Sequence, residues 1–347
     1  MNIYNAIFGS PAVRQWCDAD AQTGPVSLAQ LIAKSASATS KDGSGWNVPF
    51  PSLDALNADC PAIPRTRDFT SGIEHGFLHI RNALKLVLDP LTQPLSWLLD
   101  FSLHVVDVVP WWLITVALLL VTYGLSRSKR ITALAAGILF CLGLVDHLHY
   151  ALQTTAIVFT CTIICIVVGM PIGIAMSKSD KLKSSLLPVL DMLQTLPSFV
   201  YLIPLIFLFS VTEPKLYGIA IILYAIVPMI RLTDLGVRQV DGSVGEAASA
   251  FGMSWFQKLL GVELPLALPS IMAGVNQTIM MSLSMVVIAS LVSAPGLGVL
   301  VLRGINNLEL GVGLVAGLSI VFLAILFDRV TKASMSRLSA HTQGERT

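Results

Sequence analysis

A short polar segment interrupts an otherwise apolar chain, and its residue types suit the docking of another protein. It carries a Glu-Ala-Ala triplet and, after three further residues, a glycine. After nine more residues comes an aliphatic residue, two positions before a Leu-Pro pair. The alanines offer a smooth surface that a partner can approach closely, and the glycine can end a short helix. We therefore predict a partner-docking site rather than a merely solvated loop, at Glu246, Ala247, Ala248, Gly252, Val262, Leu264 and Pro265.

Glu246 also admits a purely local interpretation. Ser243 and Glu246 have the spacing of a capping box, in which the serine caps the helix and the glutamate reaches back to the serine amide. A negative charge in the first turn also suits the helix dipole. The pattern predicts a helix that begins near Ser243 and ends near Gly252, with a second short helix over residues 253–260.

Amide and hydroxyl side chains lie within the long apolar runs. Such groups face the protein interior or a wet pathway when they are at membrane depth. For any one of them the simpler interpretation is a hydrogen bond between helices, worth about 0.6 kcal/mol. As a cluster they predict the lining of a translocation path, and a neutral polar lining suits a zwitterion. The candidates are Gln194, Thr195, Asn276, Gln277 and Ser282.

One acid and one base near the ends of apolar runs have two interpretations. Asp191 and Arg231 can form a structural ion pair, which we favour. The alternative is a proton-coupling carboxylate, as in secondary carriers, although such carriers usually hold several acids in the membrane. Asp234, three residues after Arg231, could also pair with it.

Several other kinds of chemistry have no support in the sequence. No G-x-x-x-x-G-K-[ST] phosphate loop is present, so the chain has no such site for ATP and its energy must come from a partner or an ion gradient. Asp146, His147 and His149 are too few for a metal site, and we predict none. The net charge of +1 favours no nucleic-acid partner. We predict no catalytic residue and no cofactor in this chain.

The elements that hold these residues are membrane spans. The chain is 54% hydrophobic and only 12% charged, and a span needs about 20 mostly apolar residues. Pro188, Pro197 and Pro204 lie in the fourth candidate, so we expect that span to be broken. The seven candidates are residues 106–125, 131–148, 152–176, 186–210, 216–231, 270–292 and 310–328.

The distribution of basic residues predicts the orientation. With the N-terminus outside, the internal connections and the C-terminal tail hold 13 lysines and arginines, against 2 in the external loops after the first span. We therefore expect a periplasmic N-terminus, a cytoplasmic C-terminus and a cytoplasmic docking segment. Cys17 and Cys60 could pair if their segment is exported, and the sequence leaves this open. Cys141, Cys161 and Cys165 are expected to be small buried hydrophobes.

The docking segment resembles the EAA loop of ABC importer permeases. Every position of that pattern is met, with Val262 at the aliphatic site. Two further strings, Gln194–Pro204 and Asn276–Ser290, resemble the permease subunits of glycine betaine and proline betaine importers. Pro295–Gly298 and Arg303–Ile305 continue the likeness, which covers roughly residues 70–330. Choline and carnitine permeases would look much the same.

The resemblance implies an all-α membrane protein with the type I ABC importer permease fold, of about seven spans around a five-helix core. It implies a homodimer with a second permease copy, a cytoplasmic ABC ATPase dimer that binds the ATP, a periplasmic substrate-binding protein and a place in the bacterial inner membrane. The alternatives are an ion-coupled secondary transporter and a membrane-anchored sensor.

Composition and periodicity together with the resemblance, which covers residues 70–330, give a domain organisation. Residues 1–70 form a weakly structured periplasmic segment of unknown role, and residues 71–104 form an amphipathic helical region that either packs on the protein or lies in the membrane interface. Residues 105–150 hold two accessory spans. Residues 151–330 form the permease core with the coupling loop at 231–269, and residues 331–347 form a cytoplasmic tail.

Overall fold

The computed structural model describes Val13, Cys17, residues 52–60 and residues 62–344, and helices are the only regular elements among them. The chain divides into two compact units, residues 1–84 and residues 85–347. Much of the predicted N-terminal segment, including most of residues 1–51, lies outside the described residues.

In the first unit, a disulfide joins Cys17 to Cys60, with 4.8 Å between the two Cα atoms. Helix α1 spans Leu53–Asp59 and helix α2 begins at Thr66. Side chains fix the connection between these helices, since Asp54 Oδ1 accepts a hydrogen bond of 3.0 Å from the Thr66 amide. The pairing of the cysteines, which the sequence left open, is thus present in the structure.

Helix α2 runs Thr66–Val108 and turns through 117° into α3, Trp111–Ser126. The predicted amphipathic region is therefore part of one long helix. In the second unit, Leu99 of α2 is fully buried in the same apolar cluster as Leu216 and Ile221. The side chain of Lys215 is also buried there, 2.7 Å from the carboxylates of both Asp89 and Glu213.

The rest of the second unit is a bundle of long helices. The elements that follow α3 are α4 (Lys129–Leu144), α5 (Leu148–Lys178), α6 (Asp180–Thr195), α7 (Leu202–Leu208), α8 (Pro214–Arg238), α9 (Gly242–Ala250), α10 (Trp255–Lys258), α11 (Leu264–Ala289), α12 (Leu297–Asn306) and α13 (Leu310–Gly344). A π-helical stretch, Leu259–Glu263, joins α10 to α11 without a break.

Length and apolarity alone identify fewer spans than the seven predicted. Among the described residues, four helical stretches are long and apolar enough to cross a membrane: Leu148–Lys178, Pro214–Arg238, Trp255–Val292 and Leu310–Arg337. Two bent helix pairs, α2 with α3 and α6 with the stretch Ser198–Leu208, raise the number to six. The predicted span at 131–148 corresponds to α4, whose 16 residues are short for a span of about 20.

The predicted break in the fourth candidate span is confirmed. Helix α6 ends at Thr195, a 3₁₀ turn covers Ser198–Tyr201, and the two arms are bent by 106°. Pro197 stands at the break, where its ring and missing amide cannot continue α6. The Tyr201 hydroxyl donates a hydrogen bond to the Leu193 carbonyl across the corner. Pro188 and Pro204, by contrast, are accommodated inside helices.

Helix α8 packs against both α5 and α11, and most of its residues are buried. One close approach is with α5, where a Cβ built on Gly173 would lie 2.6 Å from the Ile230 carbonyl oxygen. Only glycine permits that contact. Cys161 and Cys165 are buried as predicted, but the prediction for Cys141 is wrong, because this side chain lies on the exposed face of α4.

Candidate functional site

The coupling segment, residues 239–263, connects α8 to α11 and begins with the short helix α9. The Asp241 carboxylate caps that helix by accepting a hydrogen bond of 2.9 Å from the Ser243 amide. This bond holds the pKa of Asp241 below its ordinary value of 3.8. The prediction that Ser243 is the cap is therefore wrong, and the reason is that the residue two positions earlier already supplies a stronger acceptor.

Glu246 does not complete a capping box, which corrects the local interpretation. Its side chain is exposed and makes no hydrogen bond to the described residues. A capping box does occur in the segment, but at the next helix, where Gln257 Oε1 accepts from the Ser254 amide at 2.8 Å. Glu246 is thus left free to contact something outside this chain.

Gly252 ends α9 as the sequence predicts. It has a φ of +78°, and its amide donates to the Ser249 carbonyl at 3.0 Å. The Met253 amide donates to the Ala248 carbonyl at 3.2 Å, which completes a Schellman motif. A second short helix then starts at Trp255. The turn requires a residue that tolerates positive φ, and glycine does so without strain.

The coupling segment exposes large apolar side chains. The cluster, called the apolar ridge below, consists of Phe251, Met253, Trp255, Phe256 and Leu260, and Phe251 is 87% exposed. Trp255 and Phe256 stack edge to face with their ring centroids 4.9 Å apart. Sequence analysis missed this ridge, although the adjacent aromatic residues were a signal for it. Exposed apolar patches of this kind mark interaction sites.

The remaining residues of the Glu-Ala-Ala pattern divide between the surface and the interior. Glu246, Ala247 and Pro265 are exposed, whereas Ala248 is buried. Val262 and Leu264 are half-buried, on either side of the junction between the π-helical stretch and α11. A π-helical insertion often occurs at a functional position in a helix. The pattern thus includes both exposed residues of the coupling segment and the first residues of α11.

Ion pairs tie the coupling segment and its neighbours to the bundle. Lys178 Nζ at the end of α5 lies 2.5 Å from Glu263 Oε2. Asp234, whose side chain is buried, accepts from Arg238 Nε at 2.8 Å and is paired with Lys183 at 2.8 Å. Arg238 also reaches Asp180 at the start of α6, with a distance of 2.7 Å. Of these pairs, only Asp234 and Arg238 are close in sequence, at i,i+4 spacing.

Asp191 and Arg231, the predicted ion pair, are in contact in the structure. The carboxylate is 62% exposed and bound by the guanidinium of Arg231. Asp234 does not pair with Arg231, contrary to the second possibility, because it points instead towards Lys183 and Arg238. Asp191 is therefore paired with a guanidinium that stays charged, which argues against a role as a proton-coupling carboxylate.

The five candidates for the path fall into two environments. Thr195 and Gln277 are exposed, and Gln194 is half-buried beside the break. Asn276 instead donates to Asp328 at 3.2 Å, which ties α11 to α13. Ser282 is fully buried in the interior of the chain, and its hydroxyl has no partner among the described residues. Only the first three are placed where a solute outside this chain could meet them.

The family is decided by a sequence profile. The profile described as the inner membrane component of binding-protein-dependent transport systems matches residues 165–340, which hold α6 to α12, most of α13 and the whole coupling segment. The chain belongs to this family. It is accordingly a multi-pass inner-membrane transport subunit and not an enzyme, and the hydrolysis of ATP belongs to a partner ATPase.

Relatives of this permease cover most of its length. It is 37% identical to the glycine betaine/proline betaine transport system permease protein ProW of Escherichia coli, over 85% of this chain and 83% of that protein. It is 40% identical to the glycine betaine/carnitine transport permease protein GbuB of Listeria monocytogenes, over 70% of this chain and 87% of the other.

A solved structure confirms the fold. The permease is similar to a chain of the MetNI methionine ABC transporter in an inward-facing conformation, with a TM-score of 0.50, 18% identity, and coverage of 55% of this chain and 95% of that one. At this identity the likeness shows the fold alone, the type I ABC importer permease fold.

Proposed function

We propose that this permease moves glycine betaine, or a closely related quaternary-ammonium zwitterion, and is driven by a separate ATPase that binds its coupling segment. The observation that carries the proposal is the apolar ridge. Five large apolar side chains at one short polar connection are costly to leave in water, since each fully buried one contributes roughly 1.5–3 kcal/mol. They suit a protein partner that covers them.

The geometry around the ridge fits docking in a groove of that ATPase. Phe251 stands at the end of α9, directly before the sharp turn at Gly252, so it projects from a corner. Glu246 and Ala247 lie on the exposed side of the same helix. The aromatic residues would supply the buried centre of the interface, and the unpaired carboxylate of Glu246 would lie at its polar edge.

The assembly we propose has four kinds of member. Two copies of this permease form the pathway, two ATPase subunits bind the coupling segments from the cytoplasm, and a periplasmic binding protein delivers the substrate. The N-terminus is periplasmic and the C-terminus cytoplasmic. Support comes from the excess of internal basic residues and from the Cys17–Cys60 disulfide, because disulfides form and persist in oxidising compartments such as the periplasm.

The substrate assignment rests on the relatives and on the chemistry of the path. Both relatives are named for N-methylated zwitterions. Gln194, Thr195 and Gln277 would line the path with neutral dipoles, which can solvate both ends of a zwitterion without trapping either. Asn276 and Ser282 are less suited to this role, because one is bound to Asp328 and the other is buried.

The proposed division of the chain follows from this assembly. Residues 151–330 form the transporting core, residues 105–150 are accessory, residues 1–70 are periplasmic and residues 331–347 are a cytoplasmic tail. The coupling loop assigned to residues 231–269 is shortened to 239–263, because α8 continues to Arg238 and α11 begins at Leu264.

Uptake measurements test this function. The permease is expressed with its binding protein and ATPase in cells that lack betaine uptake, and labelled glycine betaine, carnitine and choline are compared. We expect saturable uptake of glycine betaine that vanadate abolishes and a protonophore spares. Uptake that the protonophore abolishes and vanadate spares would overturn the assignment in favour of an ion-coupled carrier.

The ridge is tested separately by capture of the ATPase. Phe251→Asp should reduce the ATPase recovered with the permease by roughly tenfold or more, as loss of one buried aromatic anchor of about 2 kcal/mol implies. Leu308→Asp is the matched control, since Leu308 is also about 90% exposed but lies in the distant turn between α12 and α13. Equal losses from both variants would contradict docking at the ridge.

A further inference from the structure

A dry groove in the second unit lies among the helices that form spans. Its lining comes from α3, α4, α5, α11 and α13, and its volume is about 210 Å³. Most of the lining is apolar and includes Leu125, Phe159, Ile279, Phe327 and Val330. Apolar cavities, of roughly 150 Å³ in a measured case, stay free of water. The groove therefore needs an apolar occupant.

The groove is open on the outer surface of the bundle. Three of its lining residues, Val121, Leu125 and Phe159, are between 38% and 56% exposed. In a protein that crosses a bilayer, the solvent on that surface is lipid. An acyl chain has the right shape and chemistry to lie there, and it can enter from the side without crossing a polar barrier.

One end of the groove carries an arginine. Arg337 Nη1 donates to the carbonyls of Gly124 at 3.1 Å and Leu125 at 2.9 Å. Since Leu125 lines the groove, these bonds place the guanidinium at its end. The Nε and Nη2 atoms of Arg337 make no hydrogen bond within the described part of the chain. The guanidinium therefore still has N–H donors that can bind an oxyanion.

Three more bases cluster beside Arg337. Arg127, Lys129 and Arg130 lie in or next to the two-residue turn between α3 and α4. No aspartate or glutamate occurs in residues 108–145, and none of the three forms an ion pair with a described residue. Five bases elsewhere in the second unit differ, because each is paired with a carboxylate of this chain: Lys178, Lys183, Arg231, Arg238 and Lys332.

We propose that the groove is a binding site for an anionic phospholipid of the inner leaflet. One acyl chain fills the groove, and the phosphate lies among Arg337, Arg127, Lys129 and Arg130. The inner-leaflet location rests on the proposed orientation, whereas the site itself depends on neither the orientation nor the transported substrate. Each basic residue near an anionic lipid surface contributes roughly fivefold in affinity, and the guanidinium fork binds phosphate in a fixed geometry.

Retention of lipid tests the site in the intact transporter. The complex is extracted with its surrounding membrane, from cells containing phosphatidylglycerol and phosphatidylethanolamine, and the lipid that stays bound after exchange into detergent is measured by native mass spectrometry. Wild type should keep phosphatidylglycerol. The triple variant Arg127→Gln, Lys129→Gln, Arg130→Gln should lower that retention by roughly 100-fold if the three contributions multiply.

Two matched variants make the result specific. Lys181→Gln removes an exposed base at the start of α6 that has no ion pair among the described residues and lies outside the groove lining, and it should leave retention unchanged. Val330→Phe fills the groove and should lower retention with all charges intact. Retention that falls equally with Lys181→Gln, or that survives both the triple variant and Val330→Phe, would overturn the proposal.

Two further outcomes are distinguished by the same preparations. If Val330→Phe instead splits the assembly into single permease copies, the groove is an interface between copies and the lipid site is wrong. Ser128→Cys reports the side on which the basic turn lies, by labelling with a membrane-impermeant thiol reagent. Labelling from outside would refute the proposed orientation and the inner-leaflet source, while the retention measurement would still decide whether the groove binds lipid.

Discussion

Lys178 and Glu263 are 85 residues apart in the chain, yet their side chains meet at 2.5 Å. The pair joins the end of α5 to the π-helical stretch at the root of α11, where the coupling segment becomes a span. The Glu263 side chain is only 10% exposed. Movement of the coupling segment must therefore either carry α5 with it or break a largely buried ion pair.

Glu263→Gln should impair both stability and transport. It leaves the Lys178 ammonium without a carboxylate, at a cost of about 1–3 kcal/mol since Lys178 is one-third exposed. Thermal unfolding of the purified permease should shift down and betaine uptake should fall. The exchange Lys178→Glu with Glu263→Lys should recover part of both, whereas Lys332→Gln, at an exposed i,i+4 pair, should change neither. Failure of the exchange to recover anything would exclude a direct role for the pair.

Gly252→Val should abolish docking of the ATPase while the permease still inserts at normal abundance. The reason is conformational, because no atom lies within 4 Å of a Cβ built there, yet the φ of +78° strains a side chain by about 1–2 kcal/mol and more if it is β-branched. Gly252→Asn should be much milder, since asparagine tolerates this region. Gly261→Ala is the control, with open space and no positive φ. Full capture of ATPase by Gly252→Val would show that the turn is dispensable.

Asp241 rather than Ser243 should control the start of α9. Asp241→Ala should reduce ATPase capture, while Ser243→Ala should not, because only the Asp241 side chain accepts the capping hydrogen bond. The lowered pKa means that the cap contributes fully above the ordinary carboxyl value of 3.8 and is lost as the pH falls through the folded-state value. Because Asp241 stays ionised around neutral pH, capture by the wild type should not vary there through titration of this carboxylate. The opposite ranking of the two alanine variants would restore Ser243 as the cap.

Bulky substitution should separate the exposed path candidates from the buried one. Thr195→Trp and Gln277→Trp should reduce uptake at normal membrane abundance and normal ATPase capture, because both positions are exposed beside the proposed path. Ser282→Ala should leave uptake unchanged, since it removes a buried hydroxyl that has no partner among the described residues. Normal transport by Thr195→Trp would remove this residue from the path, and loss of transport in Ser282→Ala would return Ser282 to it.

The disulfide gives a direct measure of orientation. In intact spheroplasts, a membrane-impermeant thiol reagent should label Cys17 and Cys60 only after mild external reduction, because the two are joined in the folded protein. A Cys17→Ser variant should expose Cys60 to the same reagent without reduction. Labelling that requires permeabilised membranes would place the N-terminus in the cytoplasm.

Much of the coupling segment could be predicted from local sequence. The turn at Gly252 and the break at Pro197 depend on backbone preferences of single residues, which spacing reveals. The N-cap was misassigned because Asp241 and Ser243 are both good caps and local pattern alone does not rank them. Helix α4 ends at Leu144, before the predicted limit of residue 148, because composition does not fix where a helix ends.

The features that escaped prediction depend on distant parts of the chain. Asp234 is paired with Lys183, and Arg238 is paired with both Asp234 and Asp180. The contacts between α6 and α8 exist only after these two helices have packed. The same holds for the burial of Ser282 and the bond from Asn276 to Asp328. A polar residue in an apolar run gives the same signal whether it faces a pathway or a neighbouring helix.

The side chain of Lys215 lies between Asp89 and Glu213. The packing around it therefore depends on residues that precede the stretch matched by the family profile. The family match starts at residue 165, so a shortened protein that began there would hold all of the matched sequence. It would lack Asp89 and the packing of Leu99, and the buried ammonium of Lys215 would keep Glu213 alone. Helix α2, which lies before the matched stretch, is thus required to complete the burial and charge pairing of the helix bundle.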